Sequence, residues 1–157
     1  MSSTLEIGVA TRDDLPEIVR LLADDPLGAK RETYAVPLPD AYYAAFDAIA
    51  RDDNNELVVA RSDARIVGVL QVTFIPNITY RGGWRALIEG VRVAADARSA
   101  GVGRELVSRA IERARARRCH MVQLTSDKTR PDAIRFYQDL GFEASHEGLK
   151  LHLERSA

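Results

Sequence analysis

The segment Arg98–Gly103 connects an apolar run to a long amphipathic pattern, and this connection limits the folds open to the chain. Leu87–Val93 is typical of a strand, whereas the apolar positions of Val102–Ala116 recur at helical spacing. We therefore predict a strand, a glycine turn and a helix in succession. The first N–H groups of a helix lack partners within it and lie at the positive end of its dipole, so the turn is predicted to bind a phosphate group.

The size and charge of the chain restrict its function classes. Its 157 residues suit one domain, which we expect to span 1–157. The 22 basic and 23 acidic residues give a net charge of −1, which does not favour nucleic acid as a partner. The N-terminus lacks the features of a secretory signal, and no apolar stretch is long enough to span a membrane. We therefore expect a cytoplasmic protein with no membrane partner.

Cysteine and histidine usage does not indicate a metal site. The single cysteine, Cys119, excludes a disulfide or a cysteine zinc cluster within one chain, and its apolar surroundings favour a core residue over a nucleophile. The histidines His120, His146 and His152 lack metal-ligand spacing. We expect no metal.

Hydrophobic periodicity over the rest of the chain predicts an α/β fold. The predicted order is β-α-α-β-β-β-α-β-α-β-β, which forms a mixed sheet with helices on its faces. Gly68 is predicted to mark a bulge or a close approach of two backbones. Near the C-terminus we predict a helix over Pro131–Leu140 that Gly141 caps, and then two strands, Phe142–Ser145 and Leu149–Leu153.

Two familiar nucleotide-binding motifs do not fit the turn. A dinucleotide site requires a third glycine where Leu106 stands, and a P-loop requires a Gly-Lys-Ser/Thr ending that the sequence lacks. Arg98-x-x-Gly101-x-Gly103 instead resembles the Gln/Arg-x-x-Gly-x-Gly/Ala signature of GNAT-type N-acetyltransferases. A second segment, Ala133–Phe142, resembles the Ala-x-x-Phe-Tyr-x-x-x-Gly-Phe segment near the C-terminus of that family.

Both segments lie in the order of the GNAT family and at about its spacing, and the order of strands and helices extends the resemblance over the whole chain. The resemblance implies a single-domain, mixed and mostly antiparallel sheet flanked by helices, with a splayed central strand pair. It also implies acetyl-CoA as co-substrate. The turn amides would hold the CoA pyrophosphate, and the end of the preceding strand would pair with the pantetheine arm. The cofactor-binding residues carried over in this way are Val91, Arg92, Val93, Arg98, Ser99, Ala100, Gly101, Val102, Gly103 and Arg104.

Arg130 departs from the family pattern, because many members carry an asparagine at this position. An arginine there would reach a CoA phosphate or hold the loop, so Arg130 is retained as a cofactor-binding candidate without the role of the asparagine. Together with Lys128 it makes the loop locally basic, which suits a polyanionic cofactor.

Glu89 and Tyr137 are the catalytic candidates. An amine attacks a thioester only when it is neutral, and Glu89 is the one carboxylate in its apolar run, at a position where several GNAT members carry a catalytic glutamate. We expect partial burial to raise its pKa, although it could instead be a half-exposed residue paired with Arg85 or Arg92. The resemblance implies that Tyr137 protonates the departing thiolate; the alternative is that it packs in the core beside Phe136.

The acceptor site is expected to be rich in aromatic side chains, which could hold a cationic amine. In this fold the first helices, the loop before the Glu89 strand and the C-terminal strands usually shape it, and packing alone would explain each residue equally well. The candidates are Tyr34, Tyr80, Trp84 and His146, with Tyr42, Tyr43 and Asn77 as further members.

The sequence therefore predicts an N-acetyltransferase that moves acetyl from acetyl-CoA to a primary amine, carried by a small molecule or a peptide, through direct attack in a ternary complex. A non-catalytic acyl-CoA-binding or regulatory module on the same fold is one alternative. A protein-modifying acetyltransferase of the ribosomal-protein or toxin type is another. A homodimer is a further expectation, since the final strands could pair across a two-fold axis.

Overall fold

The computed structural model describes residues 4–155 of the chain. Contacts between residues divide the chain into two compact units, Met1–Gln123 and Leu124–Ala157. The expectation of one domain over residues 1–157 stays a prediction.

A five-stranded sheet in the order β1-β2-β3-β4-β5 forms the centre of the first unit. All neighbouring strands are antiparallel except β4 and β5, which are parallel. The sheet is therefore mixed, as the hydrophobic pattern predicts, and mostly antiparallel, as the resemblance implies. The strands are β1 (Leu5–Val9), β2 (Asn55–Ser62), β3 (Arg65–Pro76), β4 (Trp84–Val93) and β5 (Met121–Gln123).

Six α-helices are present in the described residues, five of them in the first unit. The longest has the bounds that its apolar stripe predicts, because those apolar residues are the ones buried against the sheet. Short 3-10 turns precede two of the helices, at Arg12–Asp14 and Ala95–Ala100. The helices are α1 (Leu15–Ala23), α2 (Gly28–Arg31), α3 (Asp40–Arg51), α4 (Thr79–Gly82), α5 (Val102–Ala116) and α6 (Pro131–Asp139).

Strands β2 and β3 form a hairpin. Its two connecting residues, Asp63 and Ala64, both have positive φ angles, of 52° and 65°. This is the turn geometry whose twist matches the right-handed twist of the paired strands. The hairpin gives β3 its central position, with β2 on one side and β4 on the other.

Gly68 of β3 confirms both interpretations of its role. The register between β2 and β3 shifts at Ala60, which pairs with Gly68, so a bulge lies beside the glycine. A Cβ atom on Gly68 would lie 2.7 Å from Leu106 Cδ1 and 2.9 Å from Val102 Cγ1, closer than side chains tolerate. The glycine thus allows α5 to pack directly on β3, and this contact fixes where the helix begins.

The second unit contains α6 but not the two strands predicted after it. Gly141 has a φ angle of 102° and ends the helix as predicted. Phe142–Ser145 and Leu149–Leu153 adopt no strand, so that prediction is wrong for the chain as described. An alternating sequence forms a strand only when a neighbour completes its hydrogen-bonded ladder, and the leucines of the second segment are 80–93% exposed.

Candidate active site

Strand β4 carries a bulge immediately after Glu89. Gln71 of β3 pairs with Glu89, and Val69 pairs with Arg92, so β4 has one more residue than β3 between these pairs. Gly90 lies in this bulge and has a φ angle of 63°. A bulge of this kind bends the strand and changes the direction of the groups that follow it.

The ladder between β4 and β5 ends at the pair Leu87–Gln123. Beyond it, β4 continues for six residues, of which four pair with β3 and none pairs with β5. This early end of the β4–β5 ladder agrees with the splayed strand pair that the resemblance implies. The N–H of Ala94 donates to Val67 O of β3 at 2.8 Å. Because backbone groups alternate along a strand, the neighbouring Val93 directs its N–H and C=O groups away from β3. Val91 lies in the bulge and has no paired residue in β3. An extended polar chain could pair with this edge.

The predicted glycine turn follows this edge directly. Gly101 has a φ angle of 79° and precedes the first residue of α5. The first hydrogen bond within the helix runs from Glu105 N–H to Gly101 O, at 3.1 Å. The N–H groups of Val102, Gly103 and Arg104 therefore have no partner within the helix and lie at its positive end.

Positive charge is concentrated at the turn. Arg98 and Arg104 are exposed, and neither forms an ion pair with another described residue. The nearby Asp96 is neutralised by Arg65 at 2.6 Å, a contact that lowers the pKa of Asp96. An anion at the turn would thus meet free guanidinium groups as well as helix amides.

Arg92 has a structural partner in this unit. It forms an ion pair with Asp25, and the two side chains are only 12% and 11% exposed. Asp25 also accepts a hydrogen bond from Gly28 N–H. The pair ties the start of α2 to β4 just past the bulge, so the side chain of Arg92 is engaged in holding the fold at the open edge.

Glu89 is exposed, which corrects the expectation of partial burial. Its flanking residues are apolar, but its side chain projects from a face of the sheet that is open at this point. It forms no hydrogen bond or ion pair with another described residue, so the alternative pairing with Arg85 or Arg92 is also absent from residues 4–155. Arg85 instead contacts Thr79 Oγ1 at 3.2 Å and Gln123 Oε1 at 3.5 Å.

A polar network beside Glu89 was missed in the sequence. Gln71 Nε2 donates to Asn55 Oδ1 at 3.0 Å, and Thr73 Oγ1 donates to the same oxygen at 2.7 Å. Asn55 Nδ2 donates in turn to Asp52 Oδ2 at 2.7 Å. The signal that could have found it is the pair of polar residues, Gln71 and Thr73, on one face of the otherwise apolar strand β3.

The aromatic candidates for the acceptor site fall into separate groups. Tyr80 stacks on His120 at 4.7 Å between ring centroids, close to Trp84, whose carbonyl accepts a hydrogen bond from His120 N–H. These residues lie at the start of β4. Trp84 is five residues before Glu89, or about 16 Å along an extended strand. Tyr34 is 46% exposed and lies between α2 and α3.

The further candidates Tyr42, Tyr43 and Asn77 have structural roles. Tyr42 and Tyr43 pack against the buried cluster of Leu15, Val19 and Leu38. The Tyr42 hydroxyl accepts a hydrogen bond from Thr33 N–H and donates one to Glu32 Oε1, both at 2.9 Å. Asn77 Nδ2 donates to Ile75 O at 3.1 Å.

The second unit holds the remaining candidates. Tyr137 is half-buried, and its ring makes edge contacts with Phe136 and Phe142 at 5.1 Å and 5.8 Å between centroids. Arg130 precedes α6, and its carbonyl accepts the N–H of Ala133 at 3.1 Å. His146 is exposed and contacts Ser145 Oγ at 2.7 Å.

Lys128 and Cys119 have surroundings of different kinds. Lys128 pairs with Glu147 at 3.0 Å, so its charge is partly compensated in the loop that it was expected to make basic. Burial raises the pKa of the half-buried Cys119 thiol, which keeps it protonated and poorly nucleophilic.

No helix within residues 4–155 is long and apolar enough to cross a membrane.

Residues 16–142 match the sequence profile of the Acetyltransferase (GNAT) family. The chain belongs to this family. Membership supports an acyltransferase, and the family uses acetyl-CoA. The mostly antiparallel sheet with its parallel β4–β5 pair is the GNAT fold.

Solved GNAT-like structures resemble the chain over nearly all its length. A transcriptional regulator from Bacillus halodurans C-125 is 58% identical, with a TM-score of 0.94, over 96% of this chain and 100% of that one. An acetyltransferase from Trypanosoma brucei is 30% identical, with a TM-score of 0.78, over 96% and 100%. In sequence, the chain is also similar to a curated glucosamine 6-phosphate N-acetyltransferase from Trypanosoma brucei brucei, with 36% identity over 90 residues. This match spans 57% of the chain and only 58% of the length of that relative.

The residues of this GNAT chain fit acetyl-CoA as substrate. The turn at Gly101 has helix amides without a partner within the helix, and these, with the guanidinium groups of Arg98 and Arg104, would suit a diphosphate. The backbone groups of Val91 and Val93, which are not used in the ladder with β3, would suit the amides of a pantetheine arm. The turn and the edge are continuous in sequence, as a single extended ligand requires.

Proposed function

We propose that the protein transfers an acetyl group from acetyl-CoA to a primary amine by direct attack in a ternary complex. The observation that carries this proposal is the edge of β4 beyond Leu87. It is without β5 as a partner, it begins next to Glu89, and it leads into the glycine turn at Gly101. A thioester at the start of this edge would lie beside a carboxylate, while its phosphates would lie at the helix N-terminus.

In the proposed reaction, each of the two catalytic candidates, Glu89 and Tyr137, transfers one proton. The amine nitrogen bonds to the acetyl carbonyl carbon, the carbon–sulfur bond breaks, and the products are an N-acetyl amide and free CoA. Glu89 accepts the proton that the amine loses, directly or through water. Tyr137 donates a proton to the leaving sulfur. The role of Tyr137 rests on its place in the Ala133–Phe142 segment.

The exposure of Glu89 and the raised pKa of Cys119 favour direct attack of the amine on acetyl-CoA over a route through an acetylated enzyme. The pKa of Cys119 is raised by burial, so little thiolate is present at neutral pH to attack a thioester. Glu89 is exposed and would be reached by an incoming amine without rearrangement of the core.

Transfer of isotope-labelled acetyl from acetyl-CoA to a panel of amines tests the proposal. The panel contains glucosamine 6-phosphate, because it is the substrate named in a relative, together with an aminoglycoside, free amino acids and a peptide with a free N-terminus. We expect labelled amide from at least one amine, with formation of one CoA thiol for each amide. Acetyl-CoA binding without transfer to any of them would contradict the proposal.

A regulatory module that binds acyl-CoA without turnover is the second candidate. The name of the 58% identical structure, a transcriptional regulator, favours it. A pure binder requires the turn and the β4 edge but not a carboxylate at the start of that edge. The same assay separates the two candidates, since a module would retain labelled acetyl-CoA unchanged.

We also propose that the protein acts in the cytoplasm as a homodimer. The single cysteine suits a reducing compartment. Leu149, Leu151 and Leu153 alternate with polar residues, as in a strand, yet they are 93%, 87% and 80% exposed. A second copy that paired with this segment would complete its ladder and cover the leucines.

A further inference from the structure

The amide groups beside Glu89 have a fixed orientation. A carboxylate only accepts hydrogen bonds, so the contact with Asp52 identifies the Asn55 atom that faces it as Nδ2. Hydrogen bonds from Asn54 N–H and from the Asn55 amide lower the pKa of Asp52, so it is ionised at neutral pH. Asn55 Oδ1 must then face Gln71, and Gln71 must present its Nε2 donor to it.

These hydrogen bonds leave the side-chain carbonyl oxygen of Gln71 without a hydrogen-bond partner among the described residues. One N–H of the Gln71 amide donates to Asn55 Oδ1, and Gln71 Oε1 forms no hydrogen bond with another described residue. Asp52 thus orients the Asn55 amide, and Asn55 in turn orients the Gln71 amide, so that Gln71 Oε1 is left as a hydrogen-bond acceptor. Thr73 Oγ1 donates to the same Asn55 oxygen, but Asn55 Oδ1 accepts from Gln71 independently, and Thr73 makes no hydrogen bond with Gln71.

Gln71 and Glu89 share one face of the sheet. They are directly paired across β3 and β4, and the Cβ atoms of such pairs lie about 5 Å apart. Glu89 offers only acceptor oxygens toward a ligand there, and Gln71 offers Oε1 as an acceptor beside it, while one N–H of its amide is held by Asn55. The pair is therefore suited to a group with two N–H bonds.

We propose that Gln71 positions the acceptor amine, by accepting one of its N–H bonds while Glu89 takes the other. This inference rests on the proposed function and names a further residue that determines its specificity. A neutral primary amine has two N–H bonds and a lone pair, so both acceptors are used while the lone pair faces the thioester. A secondary amine has a single N–H bond and leaves one acceptor unpaired, which costs affinity.

The test compares primary and secondary amines on the full-length protein. The probes are glucosamine 6-phosphate and ethanolamine, each beside its N-methyl derivative, and the quantity measured is the ratio of kcat/KM for primary over N-methyl amine. The variants are Gln71→Met, which keeps the length of the side chain without its oxygen, and Thr73→Val. Thr73→Val is the matched control, because it removes a hydrogen bond to the same Asn55 oxygen and leaves Gln71 in place.

We expect Gln71→Met to lower the ratio about tenfold, the value of one hydrogen bond of ordinary strength, and Thr73→Val to leave it within about twofold of wild type. Binding of the same amines to the CoA complex, measured by calorimetry, should weaken for the primary amine in Gln71→Met alone. Equal ratios in wild type and Gln71→Met, or equal changes in both variants, would overturn the role of Gln71. If the wild-type protein acetylates no amine at all, the proposed function is rejected. The role of Gln71 is then decided by calorimetry alone, and equal amine binding by wild type and Gln71→Met would reject it.

Discussion

Glu89 lies opposite Gln71 in the β3–β4 ladder, and the β4 bulge begins at the next residue, Gly90. The carboxylate therefore stands at the last regular position before the strand bends and its outer edge becomes free. Two residues earlier, at Leu87, β4 is still paired on both sides. A ligand that paired with the irregular part of β4, as proposed, would therefore have the Glu89 carboxylate at the start of its path.

Replacement of Gly101 by alanine should weaken CoA binding without unfolding the protein. The left-handed conformation costs a residue with a Cβ atom about 1 kcal/mol, so the turn relaxes and the helix amides lose their alignment. We expect the Kd for CoA, measured by calorimetry, to rise about fivefold. Gly8→Ala is the control, because a Cβ atom there meets nothing within 4 Å and its φ angle is not positive. An equal Kd in both variants would reject the turn as the phosphate site.

Tyr137→Phe should reduce turnover more than it reduces binding of either substrate. The hydroxyl is proposed to protonate the sulfur only as the carbon–sulfur bond breaks, so its loss should appear in kcat. A general acid is worth about a hundredfold in rate, and a loss of this order is expected by steady-state kinetics. A fall of less than about twofold would assign Tyr137 to packing with Phe136 and Phe142.

Asp14 should make the stability of the protein depend on pH in the acid range. Burial alone would raise its pKa, but hydrogen bonds from Arg61 and Thr11 outweigh this effect and lower it from 3.8. The unfolded chain therefore takes up a proton at a higher pH than the folded chain. The stabilisation by ionised Asp14 is complete well above pH 3.8 and is lost as the pH falls through the lowered pKa.

Urea unfolding of Asp14→Asn and wild type between neutral pH and pH 3 measures this contribution. We expect the variant to be less stable by about 1–3 kcal/mol at neutral pH, and the difference to shrink in acid. Asp13→Asn is the control, because the exposed Asp13 side chain makes no hydrogen bond or ion pair with another described residue. A difference between Asp14→Asn and wild type that is constant with pH would contradict the account.

Leu151→Lys should convert the proposed dimer to single chains. Leu151 is the central leucine of the exposed alternating segment, and a buried lysine without a partner opposes association. Light scattering after size exclusion should give the mass of two chains for wild type and of one chain for the variant. His152→Lys, at a position that alternates away from the leucines, should remain dimeric. A wild-type mass of one chain would reject the dimer.

The sequence predicts those parts of the fold whose cause is local. The apolar stripe of Val102–Ala116 defines α5 because helix periodicity and burial coincide there, and Gly68 is identified because only a glycine fits beneath α5. The strand predicted at Leu149–Leu153 fails for the opposite reason. Its alternation is a local property, but a strand also requires a partner, which the local pattern does not contain.

The parts of the site that escaped prediction depend on contacts between distant segments. The bulge at Gly90 exists only relative to the register with β3, and the apolar neighbours of Glu89 give no sign that its own face of the sheet is open. The outward orientation of Gln71 Oε1 follows from Asp52 through Asn55, residues that precede it by 16 or more positions. Their polar character is visible in the sequence, whereas their hydrogen bonds are not.

The most direct test of the central claim is acetyl transfer by Glu89→Gln. Labelled acetyl-CoA, the best amine of the panel and the variant are combined at several pH values, and the Kd for CoA is measured in parallel. Because Glu89 is proposed to remove a proton and not to hold CoA, we expect the transfer rate near neutral pH to fall about a hundredfold while the Kd stays within about twofold of wild type. Turnover equal to that of wild type across the pH range would contradict the account.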